Sequence, residues 1–187
     1  MSFVSRFKSL LTRRAFKNAS SKSAGKIHHD FVDLEEARRV GFIVNTQNTS
    51  QSDSSKLSQY ISRLKQAGKE TFLIEINFQK KSTPAFKNIS DGIFINPEKL
   101  NWLDLPNHQV ETQMLQKELD ILMNFDSSPR VTASYLCTLA NARTRTGLHV
   151  EGQEDCYELM LSLPEANGTK APSVLDQFDH YLKELVK

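Results

Sequence analysis

The stretch from residue 41 to residue 78 decides the fold: "GFIVNTQNTSQSDSSKLSQYISRLKQAGKETFLIEINF". It begins and ends with short runs rich in β-forming residues, at 41–46 and 70–78. Between them, a Ser-Asp cluster can cap a helix and Gly68 can end it. The apolar residues of that helix recur at helical spacing: Leu57, Tyr60, Ile61 and Leu64. A strand, helix and strand of these lengths form a right-handed crossover, which predicts two parallel neighbouring strands.

The same alternation continues to the end of the chain. Four further strands are predicted, at residues 91–97, 119–125, 143–150 and 156–164. Helices are predicted at 129–142 and 172–187, and residues 110–118 fit either a helix or an irregular segment. We therefore expect a three-layer α/β domain with a mostly parallel sheet of about five or six strands, flavodoxin-like or Rossmann-like in outline. No apolar run approaches the roughly 20 residues of a membrane span, so no transmembrane segment is predicted.

Charge is divided unevenly along the chain. Residues 1–29 contain no acid and seven cations: Arg6, Lys8, Arg13, Arg14, Lys17, Lys22 and Lys26. The remaining 17 cations face 22 acids, so residues 30–187 have a formal charge of about −5. Apolar residues at helical spacing within the first 11 positions predict a basic amphipathic helix, and residues 17–26 read as a flexible connector. The predicted organisation is an arm and linker over 1–29 and a single α/β domain over 30–187.

Three interpretations of this arm stay open. It is rich in Arg and Ser and free of acid, as a mitochondrial transit peptide is. Its cations can instead hold nucleic-acid phosphates or an anionic membrane surface. Alternatively, the arm is a solvated or loosely docked terminal helix whose phenylalanines, Phe3 and Phe7, pack on the α/β domain of the same chain. The sequence favours a non-catalytic binding module whose seven cations dock on an anionic partner, RNA or a ribonucleoprotein, with a further protein partner also possible.

Signatures of catalysis and nucleotide binding are missing from the sequence. There is no GxGxxG, no GxxxxGK[ST] and no GxSxG. The histidines are scattered, and Cys137 and Cys156 lack a CxxC partner; Cys137 falls on an apolar helix, where a buried thiol is expected. We therefore predict no catalytic residue, no metal and no cofactor, and the unpaired cysteines fit the reducing cytoplasm.

The alternative function is a small-molecule enzyme or sensor. Ligands of parallel α/β sheets bind beyond the carboxyl ends of the strands. Polar side chains follow several predicted strands and form a candidate ligand rim: Asn45, Thr46, Asn77, Asn124 and Asp126.

Two other stretches contain residues of the kind that bind partners. Arg143 and Arg145 share a face of a predicted strand, where they can bind phosphate or carboxylate or protect a sheet edge, and we favour the edge. Trp102, in "KLNWLDLP" at 99–106, is the only tryptophan in the chain. We favour a buried plug over the end of the sheet, and the alternative is an exposed anchor for a partner.

Five segments carry a resemblance to a known family: "EEARRVGFIVNT", "AGKETFLIEINF", "KLNWLDLP", "ELDILMNF" and "LANARTRTGLH". In this order and spacing they resemble an uncharacterised domain-of-unknown-function family of small Bacteroidota proteins, over about residues 31–187. The resemblance implies a bacterial cytoplasmic protein, which weakens the transit-peptide interpretation. It supplies no catalytic residues, and the oligomeric state stays open.

Overall fold

The computed structural model describes residues 3–23 (the first four by backbone alone), 31–47, 49–86, 89, 91–126, 128, 130–162 and 174–184. The strands are β1 (Arg39–Asn45), β2 (Glu70–Ile76), β3 (Gly92–Ile95), β4 (Glu118–Asn124), β5 (Asn141–Leu148) and β6 (Leu159–Leu161). The helices are α1 (Phe3–Ser23), α2 (Gln51–Gln66), α3 (His108–Gln116), α4 (Val131–Leu139) and α5 (Val174–Glu184). Short 3₁₀ turns occupy Pro97–Lys99 and Glu154–Cys156.

The strands form a single six-stranded sheet in the order β3-β2-β1-β4-β5-β6, and every neighbouring pair is parallel. The chain moves outward from β1 to β3, crosses back to β4 and then moves outward in the other direction. This doubly wound order belongs to Rossmann-like folds. The predicted three-layer α/β architecture is confirmed, with the Rossmann-like outline rather than the flavodoxin-like one.

Helix α2 forms as its sequence predicts. The side chain of Ser50 caps its start, accepting the backbone N–H of Asp53 at 3.1 Å. Gly68 follows its end with φ of 80°, a conformation that costs glycine little. The four apolar residues at helical spacing are all buried against the sheet: Leu57, Tyr60, Ile61 and Leu64.

Helices cover both faces of the sheet. Met114 of α3 and Leu136 of α4 are fully buried in the apolar cluster on one face. Ile61 of α2 and Phe178 of α5 lie in the cluster on the other face. Residues 110–118 were predicted to be either a helix or an irregular segment, and most of them are helical, in α3. Asn107 caps this helix by accepting the N–H of Val110 at 3.1 Å.

Helix α1 adds a further layer, outside α4. The predicted flexible connector is wrong for residues 17–23, which continue this helix, whereas 24–26 lie outside the described residues. Ala19 is fully buried, and the Ser23 hydroxyl donates to the carbonyl of Thr138 at 3.0 Å. Small residues at these positions allow α1 to lie close to α4, so packing overrides the flexible composition.

The last two strands differ from their predicted extents. Strand β6 covers only Leu159–Leu161, and Cys156 lies in a 3₁₀ turn rather than at the start of a strand. Strand β5 lies between β4 and β6, so it is not an edge strand and the favoured interpretation of its arginines is wrong. Cys137 and Cys156 are both buried, and burial raises the pKa of each thiol.

The connection from β2 to β3 contains no helix in its described part, residues 77–86 and 89. A buried acid holds it against the sheet instead. The Glu75 carboxylate accepts the backbone N–H groups of Ala85 at 2.6 Å and Phe86 at 3.3 Å. Burial raises the pKa of Glu75, and the two hydrogen bonds oppose that rise.

None of the helices described is both long enough and apolar enough to cross a bilayer.

Candidate functional site

The apolar side of α1 is used inside the molecule. The rings of Phe16 and Tyr135 meet edge to face, with centroids 5.5 Å apart and an interplanar angle of 78°. Leu11 and Ala15 pack against the same cluster, and Ala19 is fully buried in it. All eight residues from 132 to 139 of α4 are buried, because α4 is packed between α1, α3 and the sheet. A helix that is buried on every side needs cover on every side, and α1 supplies part of that cover.

An ion pair and a hydrogen bond reinforce this contact. Lys22 of α1 lies 2.8 Å from the Glu111 carboxylate of α3, and the Tyr135 hydroxyl donates to the same carboxylate at 2.5 Å. Burial alone would raise the pKa of Glu111, but the hydrogen bonds from Lys22 and Tyr135 lower it below its ordinary value. Lys22, which the sequence places among the partner-binding cations, is therefore engaged internally.

The opposite side of α1 presents cations to solvent. Within the described part of α1, four exposed cations make no ion pair: Arg13, Arg14 and Lys17, which form the basic face opposite Ala15 and Ala19, and Lys8, which lies one turn before Leu11. Phe7 and Leu10 lie beside them and are 51% and 65% exposed. The side chain of Arg6 and the whole of Lys26 lie outside the described part of the chain.

Part of the predicted ligand rim forms a buried hydrogen-bond chain. The Asn45 amide donates to the Asp126 carboxylate at 3.2 Å, and the Asp126 backbone N–H donates to Asn124 at 2.9 Å. Ser128 also donates to Asp126, through its backbone N–H at 3.0 Å and its hydroxyl at 2.9 Å. Asn45, Asn124 and Asp126 are almost fully buried and bond to one another, so they fix the loop after β4 to the end of β1.

The other two rim residues form a separate pair. Asn77 donates its side-chain amide to the hydroxyl of Thr46 at 2.9 Å, and that hydroxyl donates to the carbonyl of Ile76 at 3.3 Å. The structure thus divides the five predicted rim residues into two local sets that connect the ends of neighbouring strands. Within the described residues, no group of three His, Cys, Asp or Glu side chains has an arrangement that could hold a metal ion.

The buried chain includes a tyrosine that the sequence did not single out. Asn124 donates its side-chain amide to the hydroxyl of Tyr157 at 2.7 Å. Burial raises the pKa of Tyr157, so the hydroxyl stays neutral. Its ring lies directly over Gly147, where an added Cβ would be 2.4 Å from the nearest ring carbon. Only glycine at position 147 leaves room for this ring.

Gly147→Ala is therefore expected to destabilise the protein by about 1–3 kcal/mol, because the new methyl overpacks the buried Tyr157 ring. Chemical unfolding followed by circular dichroism measures the change. Tyr157→Leu removes the ring atoms in conflict, so the double variant should lose less stability than the two single losses added together. Strict additivity would contradict the proposed conflict.

Hydrogen bonds hold the backbone of the tryptophan loop, but the indole of Trp102 is exposed to solvent. Asn101 accepts the backbone N–H groups of Leu103 at 2.8 Å and Leu105 at 3.2 Å, and both leucines are buried. Asp104 has φ of 61° in the left-handed region, which completes the tight turn. Trp102 is 63% exposed. The plug interpretation is wrong, because the leucines on either side fill the space under the loop and leave the indole in solvent.

Arg145 is engaged by an internal carboxylate. Its guanidinium is paired with Glu158, whose carboxylate also accepts the Arg145 backbone N–H at 2.6 Å. Burial alone would lower the pKa of Arg145, but the hydrogen bonds and charge of Glu158 raise it above its ordinary value. Arg143, two residues earlier on the same face of the strand, is exposed. The carboxylate that the sequence allowed as a partner for these arginines is therefore Glu158, and it binds Arg145.

Fold and site together define a Rossmann-like α/β protein with a docked basic helix. The sequence matches the model of DUF6913, a family of unknown function, over residues 8–185, and the chain belongs to this family. The matched region includes most of α1. None of the curated proteins compared with the sequence matches it.

A solved structure shares the fold. The chain is similar to the glycosyl transferase family 9 protein from Veillonella parvula DSM 2008, with a TM-score of 0.50 and 16% sequence identity. The similarity covers 84% of this chain and 42% of that one, so this chain spans less than half the length of the transferase. At this identity the likeness concerns the fold alone.

Proposed function

We propose that this protein is a non-catalytic binding module that docks on RNA or a ribonucleoprotein through the basic face of α1. The observation that carries the proposal is the position of α1, whose apolar side packs on α4 while four cations lie on exposed positions. A helix fixed in this way presents its charges in a constant arrangement, so little conformational entropy is lost on binding. Phosphates would be recognised by Arg13, Arg14 and Lys17 on this face, and by Lys8 near the start of the helix.

Two features favour a nucleic acid over a membrane surface. An amphipathic helix that lies in a bilayer interface inserts its apolar side. In α1 that side is already occupied, because Phe16 contacts Tyr135 and Ala19 is fully buried. The exposed side is mainly cationic beyond Leu10, which suits an anionic polymer in water.

The small-molecule alternative has weaker support. Asn45, Asn124 and Asp126 already bond to one another, and Thr46 bonds to Asn77. A ligand at this edge would have to break those bonds before making its own.

A charge-neutralising variant tests the proposal. Arg13→Gln/Arg14→Gln/Lys17→Gln should weaken binding to RNA by about 10- to 100-fold at 0.1 M salt and reduce the dependence of log affinity on log salt by about 2. The matched control, Lys56→Gln/Arg63→Gln/Lys65→Gln, removes the same charge from exposed positions on α2, on the opposite face of the sheet. Fluorescence anisotropy with labelled RNA over a salt series measures both effects.

Equal losses in the two variants would indicate a general charge effect and would contradict the proposal. Binding that does not change with salt would contradict it as well. Deletion of α1 is a poor test, because it would uncover the buried α4.

A further inference from the structure

We infer that the RNA bound by this protein has an unpaired segment, and that Trp102 stacks on one of its bases. The inference rests on the proposed function and concerns a second element of the same binding surface. A docked basic helix by itself recognises phosphates, which single strands and duplexes both offer. An exposed indole adds a flat aromatic surface that only an unstacked base can cover.

Backbone hydrogen bonds hold the loop around Trp102 in a conformation that leaves the indole in solvent. Asn101 makes two side-chain hydrogen bonds to the backbone of the loop, and its N–H donates to the carbonyl of Leu105 at 2.9 Å. Leu100 and Pro106 form an antiparallel bridge at the base of the loop. With the loop backbone hydrogen-bonded and Leu103 and Leu105 buried, the indole of Trp102 is left 63% exposed.

The loop and α1 lie on the same side of the sheet. Leu103 and Leu105 belong to the apolar cluster that also contains Ala19 of α1. The hydroxyl of Thr132, in the first turn of α4, donates to the carbonyl of Asp104 at 2.7 Å. The helix that supports α1 is thus bonded directly to the loop that presents Trp102.

A cation lies at the foot of this loop. The Arg130 guanidinium is 3.6 Å from the Asp104 carboxylate and lies 4.1 Å from the centre of the Phe78 ring. Its side chain remains about half exposed, and a phosphate next to a base stacked on Trp102 would share this guanidinium with Asp104. An aromatic platform with cations on the same side of the sheet is the arrangement that binds single strands without sequence preference.

Because Trp102 is the only tryptophan, its fluorescence reports on this loop alone. We expect quenching when an oligouridylate of about 12 nucleotides is added, as a base covers the indole. Trp102→Ala should weaken binding of that oligouridylate about tenfold, and Trp102→Phe should retain most of the affinity. Tyr181→Ala, which removes an exposed aromatic ring from α5 on the opposite face, is the matched control and should bind as the unmodified protein does.

The outcomes separate this inference from the proposed function. If Trp102→Ala weakens binding to the single strand but leaves an RNA duplex within about twofold, the inference is supported. If the α1 variant weakens binding and Trp102→Ala does not, stacking is overturned and the proposed function stands. If neither variant weakens binding, both fail. A blue shift of Trp102 with vesicles rich in phosphatidylserine, and no response to RNA, would overturn the inference in favour of a lipid surface.

Discussion

Glu158→Ala is expected to destabilise the fold by about 3 kcal/mol, because it leaves the Arg145 guanidinium buried without its partner. Arg145 is only 8% exposed, and Glu158 accepts hydrogen bonds from both its backbone and its side chain. For a domain of this size the loss corresponds to a fall in Tm of about 6–12 °C. Urea unfolding and thermal unfolding measure it independently.

A double variant separates the cost of the lone charge from the value of the pair. Arg145→Met/Glu158→Leu removes both charges while keeping much of the volume, and it should recover most of the lost stability. The matched surface control is Glu118→Ala, which breaks the exposed pair with Arg39 (2.7 Å) and should cost less than about 1 kcal/mol. Equal losses for Glu118→Ala and Glu158→Ala would show that burial of Arg145 does not decide the effect.

Ala19→Glu is expected to separate α1 from α4. A glutamate at this fully buried position introduces a charge that has no room and no partner in the apolar contact. Limited trypsin digestion measures the separation, because the cations of α1 are cleavage sites that a docked helix protects. We expect cleavage within α1 at least about tenfold faster, as it follows the population of the open state.

Ser20→Glu is the matched control for this helix. It adds the same side chain one position along, where Ser20 is exposed, and should leave the cleavage rate close to that of the unmodified protein. Equal rates in the two variants would mean that α1 is not held by its apolar side. The proposed display of the basic face would then lose its structural basis.

Most of the sheet could be predicted from sequence because its signals are local. Strand β4 is an apolar run long enough to cross a buried sheet, and α2 has a cap, a stop and a regular apolar stripe. The parallel pairing of β1 and β2 followed from the length of the connection between them. In each case the pattern of a single segment determined its structure.

The features that sequence analysis missed depend on contacts between distant segments. Helix α1 looked like a detachable arm because its partner, α4, begins more than 100 residues later. Arg145 was interpreted as an edge cation, with ligand binding as the alternative, because its partner Glu158 lies outside the strand, in the next connection.

The sequence identified residues of the candidate site more successfully than the contacts that those residues make. The cations of α1 were identified, but the internal use of Lys22 depends on Glu111, which nothing in the sequence connects to it. Trp102 was predicted to plug the end of the sheet because it lies among leucines between Pro97 and Pro106. The neighbouring Leu103 and Leu105 fill that space instead, a choice that only the loop geometry reveals.

The dependence of α1 on α4 has a consequence for synthesis. The bond between Ser23 and Thr138 joins positions 115 residues apart, so a ribosome adding about 5–20 residues per second makes the second residue roughly 6–23 s after the first. During that interval the nascent helix has no surface to cover, and its phenylalanines and cations are free to meet chaperones or the translation machinery. The apolar side of α1 is covered only after α4, which ends at Leu139, has been synthesised and has packed against it.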